Sequence, residues 1–352
     1  MEKVMVAMSG GVDSSVAAYL LKQQGHEVIG VTMCLGIPDD TSNKRKCCGV
    51  EAINDVKSVC AQLNIPYYVL DFSNELSKYV IDDFISEYKS GRTPNPCARC
   101  NQYLKFGKLL EYAKNLGFNY LATGHYAKII KTNGKVKLAC PKDSQKDQTY
   151  FLYNIRKENL KYILFPLAKY SKNQVRQIAK DANLTVAEKQ QSQDICFVPN
   201  KNYKEFIVKR IQSKPGDIVT EDGKILGQHN GIINFTIGQR SGLGIAAKNP
   251  LYVLRLNQKN NQVVVGERHN LQSKSLMASN LNFLVDKLPK NISAKIRYAH
   301  KKTPCQITLD KKNNTIKVSF DEPQESITPG QSIVFYSNDI VCAGGTIQAV
   351  ID

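Results

Sequence analysis

The chain has 352 residues, with 48 Lys and Arg against 31 Asp and Glu, so its formal net charge is +17 with histidine neutral. At roughly 150 residues per domain this length suits two or three domains, and 42% hydrophobic residues exclude disorder as the main state. The apolar run before Ser9-Gly10-Gly11 is too short for a secretory signal, no run approaches the ~18–20 residues that span a bilayer, and the ten cysteines read as reduced cytoplasmic thiols rather than a disulfide scaffold.

The first half alternates strand-like and helix-like segments, which predicts a parallel sheet covered by helices. Residues 3–8 form a β-rich run, 14–24 a helix ended by Gly25, and 27–33 a second strand, which together make one βαβ unit. A helix over 51–64 follows, with Ala52, Val56, Val59, Cys60 and Leu63 at helical spacing, and then a strand over 67–71. A helix near 75–89 gives way to the turn-forming loop Ser90-Gly91-Arg92-Thr93-Pro94-Asn95-Pro96, a helix is expected over 101–116, and a strand over 119–123. Ser171 and Gln174 stand at capping-box spacing and open a helix over 171–182. Past about residue 205 the texture changes to short alternating runs divided by Gly, Asn, Asp and Pro turns: 224–227, 252–256 with 262–266, 306–309 with 315–320, 333–336 and 340–350. The expectation is an α/β domain over 1–204, a small β-rich central domain over 205–272, and a β-barrel over 273–352.

Ser9-Gly10-Gly11-Val12-Asp13-Ser14 lies between the first strand and the first helix. Two glycines let backbone N–H groups close around an anion, the helix amino terminus adds a positive dipole end, and Ser9 and Ser14 add hydroxyl donors. This is a phosphate cradle, distinct from the Walker pattern because it lacks Gly-Lys-Ser/Thr. Further on, Cys97-Ala98-Arg99-Cys100 meets the expected start of the 101–116 helix, where the dipole and Arg99 should make Cys100 ionise more readily than an ordinary thiol. Cys196 is a third candidate, whereas Cys34, Cys60, Cys140, Cys305 and Cys342 read as small buried hydrophobes. Cys47-Cys48 could join Cys97 and Cys100 in a zinc site, although the first pair lacks ligand spacing. The charge of +17 points to a polyanion, nucleic acid first.

The string Ser-Gly-Gly-Val-Asp-Ser-Ser resembles the pyrophosphate loop of the ATP pyrophosphatases. That resemblance implies ATP split between its α and β phosphates, with Mg2+ as counter-ion. ATP contacts would then run through Ala7, Met8, Ser9, Gly10, Gly11, Val12, Asp13 and Ser14, with Met33 near the adenine and Gly124 as a further contact. The loop 91–96, Cys100-Asn101, Lys105-Phe106, Thr123-Gly124-His125-Tyr126, Lys146-Asp147-Gln148, Cys196-Phe197 and Gly238-Gln239-Arg240 resemble, in order, the bacterial tRNA-specific 2-thiouridylase family over essentially the whole chain. The implied fold is an adenine-nucleotide α-hydrolase-like domain, a central domain and a β-barrel. The implied reaction replaces the 2-oxygen of the wobble uridine of tRNAs for Lys, Glu and Gln with sulfur: ATP adenylates that oxygen and AMP departs.

By the same resemblance Cys196 carries a persulfide received from a sulfur-relay protein or cysteine desulfurase. Cys100 is the nucleophile that attacks the activated carbon or completes sulfur release, ending in a Cys100–Cys196 disulfide that a reducing cytoplasm reopens. Asn95, Pro96 and Cys97 would line the base pocket, while His125, Lys146, Asp147, Gln148, Arg297, Tyr298 and Gln331 would contact tRNA. One departure stands out, since much of the family has Asp where this chain has Cys97. An alternative is therefore a [4Fe–4S] cluster on Cys97, Cys100 and Cys196. Two readings compete: an ATP-pyrophosphatase amidotransferase or synthetase acting on a small metabolite, and, from a different class, a non-catalytic RNA-binding or iron–sulfur protein with a degenerate nucleotide loop.

Overall fold

The computed structural model describes residues 1–38, 45–46, 50–132, 134–190, 195–198 and 203–351. Cys47 and Cys48, and with them the zinc suggestion, lie outside the described residues. The amino-terminal sheet is parallel throughout, in the order β3-β2-β1-β4-β7, with β1 Lys3–Ala7, β2 Glu27–Cys34, β3 Tyr67–Asp71, β4 Tyr120–Thr123 and β7 Ile163–Leu164. β1 alternates in the way a doubly covered strand must: Val4 and Val6 pack on one face with α1 Val12–Gln23 and α2 Val50–Gln62, while Met5 packs on the other. The chain moves from β1 to β2 and β3 on one side and returns to β4 on the other, so the carboxyl ends of β1 and β4 flank the crevice where such sheets bind ligands.

Two helical rods cover the Met5 face, and both contain π-helical turns. Residues 73–89 (α3) combine Ser73–Leu76, the π segment Ser77–Ile81, and Asp82–Lys89; residues 96–115 (α4) combine Pro96–Arg99, the π segment Cys100–Leu109, and Leu110–Asn115. The second rod starts five residues earlier than the sequence suggested, because Pro96 sits at its first position and the Asn95 side chain accepts from Ala98 N–H. Helix α5, Lys172–Asp181, carries the expected capping box of Ser171 and Gln174.

A hairpin unseen in the sequence, β5 Lys128–Thr132 with β6 Lys135–Ala139, leaves the α/β domain and extends the sheet of the carboxy-terminal barrel through β6 and β17. After the short helix α6, Tyr203–Val208, the central sheet runs β9-β8-β11-β10, from Gly216–Val219 (β8), Ile225–His229 (β9), Tyr252–Asn257 (β10) and Gln262–Gly266 (β11). The barrel has six strands, β12 Gln272–Phe283, β13 Ser293–Lys295, β14 Thr303–Asp310, β15 Thr315–Glu325, β16 Ser332–Ser337 and β17 Ile340–Val350. It closes where β12 pairs β17, around a core that includes Leu276, Ile296, Val318 and Phe335. No helix among the described residues is long and apolar enough to cross a membrane.

Candidate active site

Gly11 caps α1 with no side-chain acceptor, so the amides of the first turn are left for a ligand. Gly10 has φ +74, and a Cβ there would stand 2.7 Å from Ala52 O. Ser9 N–H donates to Ser14 Oγ at 3.2 Å, and the Ser14 and Ser15 hydroxyls donate to Gly11 O at 3.1 and 3.0 Å. Asp13 is held by Lys172 Nζ at 2.6 Å and Tyr126 OH at 3.0 Å. Gly124 ends β4 against this loop: a Cβ there would come within 2.6 Å of Ser14 N. Ala7 ends β1, Met8 and Val12 are buried beneath the loop, and Met33 is half-buried near the carboxyl end of β2.

Beside the loop opens a cavity of about 590 Å³, whose lining includes Pro96, Cys97, Cys100, Asn101, Lys105, His125, Tyr126, Lys146, Gln148, Cys196 and Tyr298. Cys97 and Cys100 thus share one space with Cys196, about a hundred residues further along the chain. Tyr126 joins both halves, facing this cavity and donating to Asp13 in the phosphate loop.

Cys97, Cys100 and Cys196 are all reduced thiols; Cys97 and Cys196 are exposed to the cavity and Cys100 is buried. Burial pushes the Cys100 thiol up and Lys105 pulls it down, burial being the larger effect. The Cys97 thiol, though open to the cavity, is also raised by the loss of bulk solvent around it, with Lys105 pulling it down. This corrects the expectation of an easily ionised Cys100: the thiol lies inside the second helical turn rather than ahead of the helix, and Arg99 turns away to pair with Asp83 at 3.0 Å. Cys34 is also corrected, being disulfide-bonded rather than a plain buried thiol.

His125 lies against the rings of Phe106 and Phe165, its Nδ1 2.7 Å from Thr123 Oγ1, and burial holds its pKa well below the usual imidazole value. Tyr298 keeps 39% of its surface exposed on the cavity wall, where its ring lies over Phe151, ring centres 4.8 Å apart.

Other expected tRNA contacts have protein partners. Asp147 is buried and accepts from Thr149 N–H at 2.9 Å, and Gln148 Oε1 accepts from Tyr126 N–H at 2.9 Å. Asn95 Nδ2 donates to Ser332 Oγ at 3.1 Å, and Gln331 Nε2 donates to Thr93 O and Pro94 O at 3.1 and 2.9 Å, so both tie the loop before α4 to the barrel. Arg297 Nη2 donates to Ile237 O and Ser326 O, at 3.1 and 3.0 Å, and to the Thr328 hydroxyl. Asn101 is buried, with its amide donating to Phe151 O at 3.0 Å. Lys105, a cation on the cavity wall, was quoted in the sequence only as part of a motif; its signal there was the spacing from Cys100.

Among the described residues no three His, Cys, Asp or Glu side chains converge closely enough to hold a metal ion. The three cysteines line one cavity without forming a cradle for an iron–sulfur cluster.

Three family models match in succession: a tRNA methyl transferase HUP domain over residues 2–200, a tRNA methyl transferase PRC-barrel domain over 204–267, and an aminomethyltransferase β-barrel domain over 273–347. Among curated relatives, tRNA-specific 2-thiouridylase MnmA 1 of Syntrophus aciditrophicus is 48% identical, covering 99% of this chain and 94% of its own. Relatives named tRNA-specific 2-thiouridylase MnmA in Acetivibrio thermocellus and Clostridium perfringens are 48% and 46% identical, with 99% of both chains covered.

Proposed function

The chain belongs to the tRNA-specific 2-thiouridylase family and is a tRNA-thiolating enzyme, and on that premise we propose how its own residues divide the work. The observation that carries the reading is the single cavity shared by Cys100 and Cys196 beside the phosphate loop. ATP lies on Ser9–Ser14 with its adenine toward Met33 and Gly124 at its side, and Mg2+ carried on its phosphates supplies counter-charge for pyrophosphate. A wobble uridine of tRNA for Lys, Glu or Gln is flipped out of its loop into the cavity, beside Pro96 and Cys97 and against Tyr298. Asn95 and Gln331 keep that wall in place, while Lys146 adds positive charge toward the RNA backbone. His125 and Gln148 border the base, Asp147 shapes their loop, and Arg297 anchors the strand end that presents Tyr298.

The uridine 2-oxygen attacks the α-phosphorus and pyrophosphate leaves. The outer sulfur of a Cys196 persulfide, delivered by a sulfur-relay protein or a desulfurase, attacks C2 and AMP leaves. Cys100, as thiolate, then attacks Cys196 Sγ: the bond from Cys196 to the transferred sulfur breaks, that sulfur keeps the electron pair as the thiocarbonyl, and a Cys100–Cys196 disulfide remains. A thiol reductant reopens it, as a reducing cytoplasm would supply.

The test supplies ATP, Mg2+, a persulfide donor and unmodified tRNA, followed by mass analysis of the wobble nucleoside. Cys100→Ser and Cys196→Ser should each abolish 2-thiouridine while binding tRNA within about twofold of wild type. Undiminished thiolation by either variant overturns the assignment.

A further inference from the structure

Among the described residues, every charged side chain lining the cysteine cavity is a lysine: Lys105 and Lys146 are there, with no described Asp or Glu beside them. Lys105 makes no ion pair with a carboxylate among the described residues, and its ammonium stands on the wall that carries Cys97 and Cys100. Helix geometry explains how it gets there. In an α-helix a residue five positions after Cys100 points about 140° away from it. The segment Cys100–Leu109 is π-helical, with hydrogen bonds five residues apart and about 4.4 residues per turn, which cuts that offset to roughly 50°. Gly107 suits the wider turn, since a Cβ there would stand 2.8 Å from Gln102 O.

We propose that Lys105 is the electrostatic partner of the Cys100 nucleophile, carried onto the cysteine face by the π-helical stretch, on a wall where position 97 offers it a thiol instead of a carboxylate. The inference rests on the reading of Cys100 as the attacking thiol. Lys105 does not touch the reacting sulfur in a bond-making sense; it favours the anionic form of a thiol that burial disfavours. The other titratable groups facing Cys100 in the cavity do not replace it: Cys97 is itself a raised thiol, His125 is held neutral, Tyr126 and Tyr298 are raised phenols, and Cys196 is the partner thiol. Among the described residues Lys146 is the other cation lining this cavity, and it acts as the internal control.

The experiment reads thiol reactivity directly. The reduced full-length enzyme is alkylated with iodoacetamide between pH 6.5 and 9.5, and modification of the Cys100 peptide is followed by mass spectrometry. Lys105→Gln should slow Cys100 alkylation about tenfold at pH 7.5 and displace the rising rate profile to higher pH by about one unit, read as the pH at which a given rate is reached. Lys105→Arg should stay within about threefold of wild type, and Lys146→Gln should change little. Cys97→Asp, which supplies the missing counter-charge without removing Lys105, should slow Cys100 as Lys105→Gln does. Wild-type alkylation kinetics in Lys105→Gln, with unchanged thermal unfolding, overturn the proposal, as does an equal slowing by Lys146→Gln. Thiolation by Cys100→Ser is scored separately: its survival would remove the nucleophile assignment and leave the alkylation result standing as a statement about Lys105.

Discussion

Burial and charge pull the Cys100 thiol in opposite directions, and burial is the larger effect, so its proton is held more tightly than in an ordinary thiol. A rate that depends on the Cys100 thiolate should therefore climb with pH through and beyond the ordinary thiol value of ~8.5. His125 adds no limb near neutrality, because burial keeps its ring uncharged down to well below the usual imidazole pKa. Single-turnover thiolation measured from pH 6.5 to 9.5 should rise throughout; a plateau below pH 8 would show that deprotonation of Cys100 does not limit the reaction. The residue types that carry chemistry were legible one by one in the sequence, because phosphate loops and paired cysteines have characteristic neighbours. Their electrostatics were not, since whether Arg99 or Lys105 faces the thiol depends on which way a helix turns.

At the level of elements, the phosphate loop works by close approach of β4 to the start of α1. Gly124 permits it: the hydrogen in place of a side chain leaves room for the backbone of Asp13 and Ser14 at distances no Cβ tolerates. Gly124→Ala should wedge the strand from the helix and weaken ATP binding at least tenfold, measured by calorimetry, while tRNA affinity stays within about threefold. Unchanged ATP affinity would mean that the loop does not need this contact. Strands and hairpins in the second half were readable because Gly, Asn and Asp punctuate two-residue alternation, and the capping box of Ser171 and Gln174 formed as its spacing demanded. The β5–β6 hairpin was missed because Lys128, Lys131, Lys135 and Lys137 interrupt its apolar pattern and its partner strand lies two hundred residues away. The π-helical turns had no sequence signal, as the register of helix hydrogen bonds is settled by what the rods pack against.

Over the whole molecule, the barrel reaches back to the active-site loop. Thr93 N–H donates to Pro329 O at 2.9 Å, Gln331 holds Thr93 and Pro94, Arg92 reaches Gln348 Oε1 at 2.6 Å, and a Cβ on Gly330 would strike Thr93 O at 2.7 Å. The loop that starts α4, and so aims Cys97 and Cys100, is held by residues more than two hundred positions later. Gln331→Ala removes two of these hydrogen bonds, about 1–2 kcal/mol in total, and should lower the thiolation rate several-fold with ATP affinity unchanged. A loss of ATP affinity instead would place the effect in the phosphate loop. The same long-range assembly gives the net charge of +17 its use. Cations line the cavity wall at Lys105 and Lys146, and Lys295 stands beside Tyr298 at the barrel edge, so a tRNA bound at this cavity would meet positive charge from two domains at once. Each neutralised phosphate releases a counter-ion and steepens the salt dependence by ~0.7–0.9 in the slope of log affinity against log salt. If six or more phosphates are engaged, tRNA affinity should fall by about a thousandfold between 50 and 200 mM KCl. Filter binding across that range, on the intact enzyme with unmodified tRNA, decides the matter: a slope shallower than about −2 would mean that the excess charge serves solubility and that recognition rests on the flipped base and its stacking face alone.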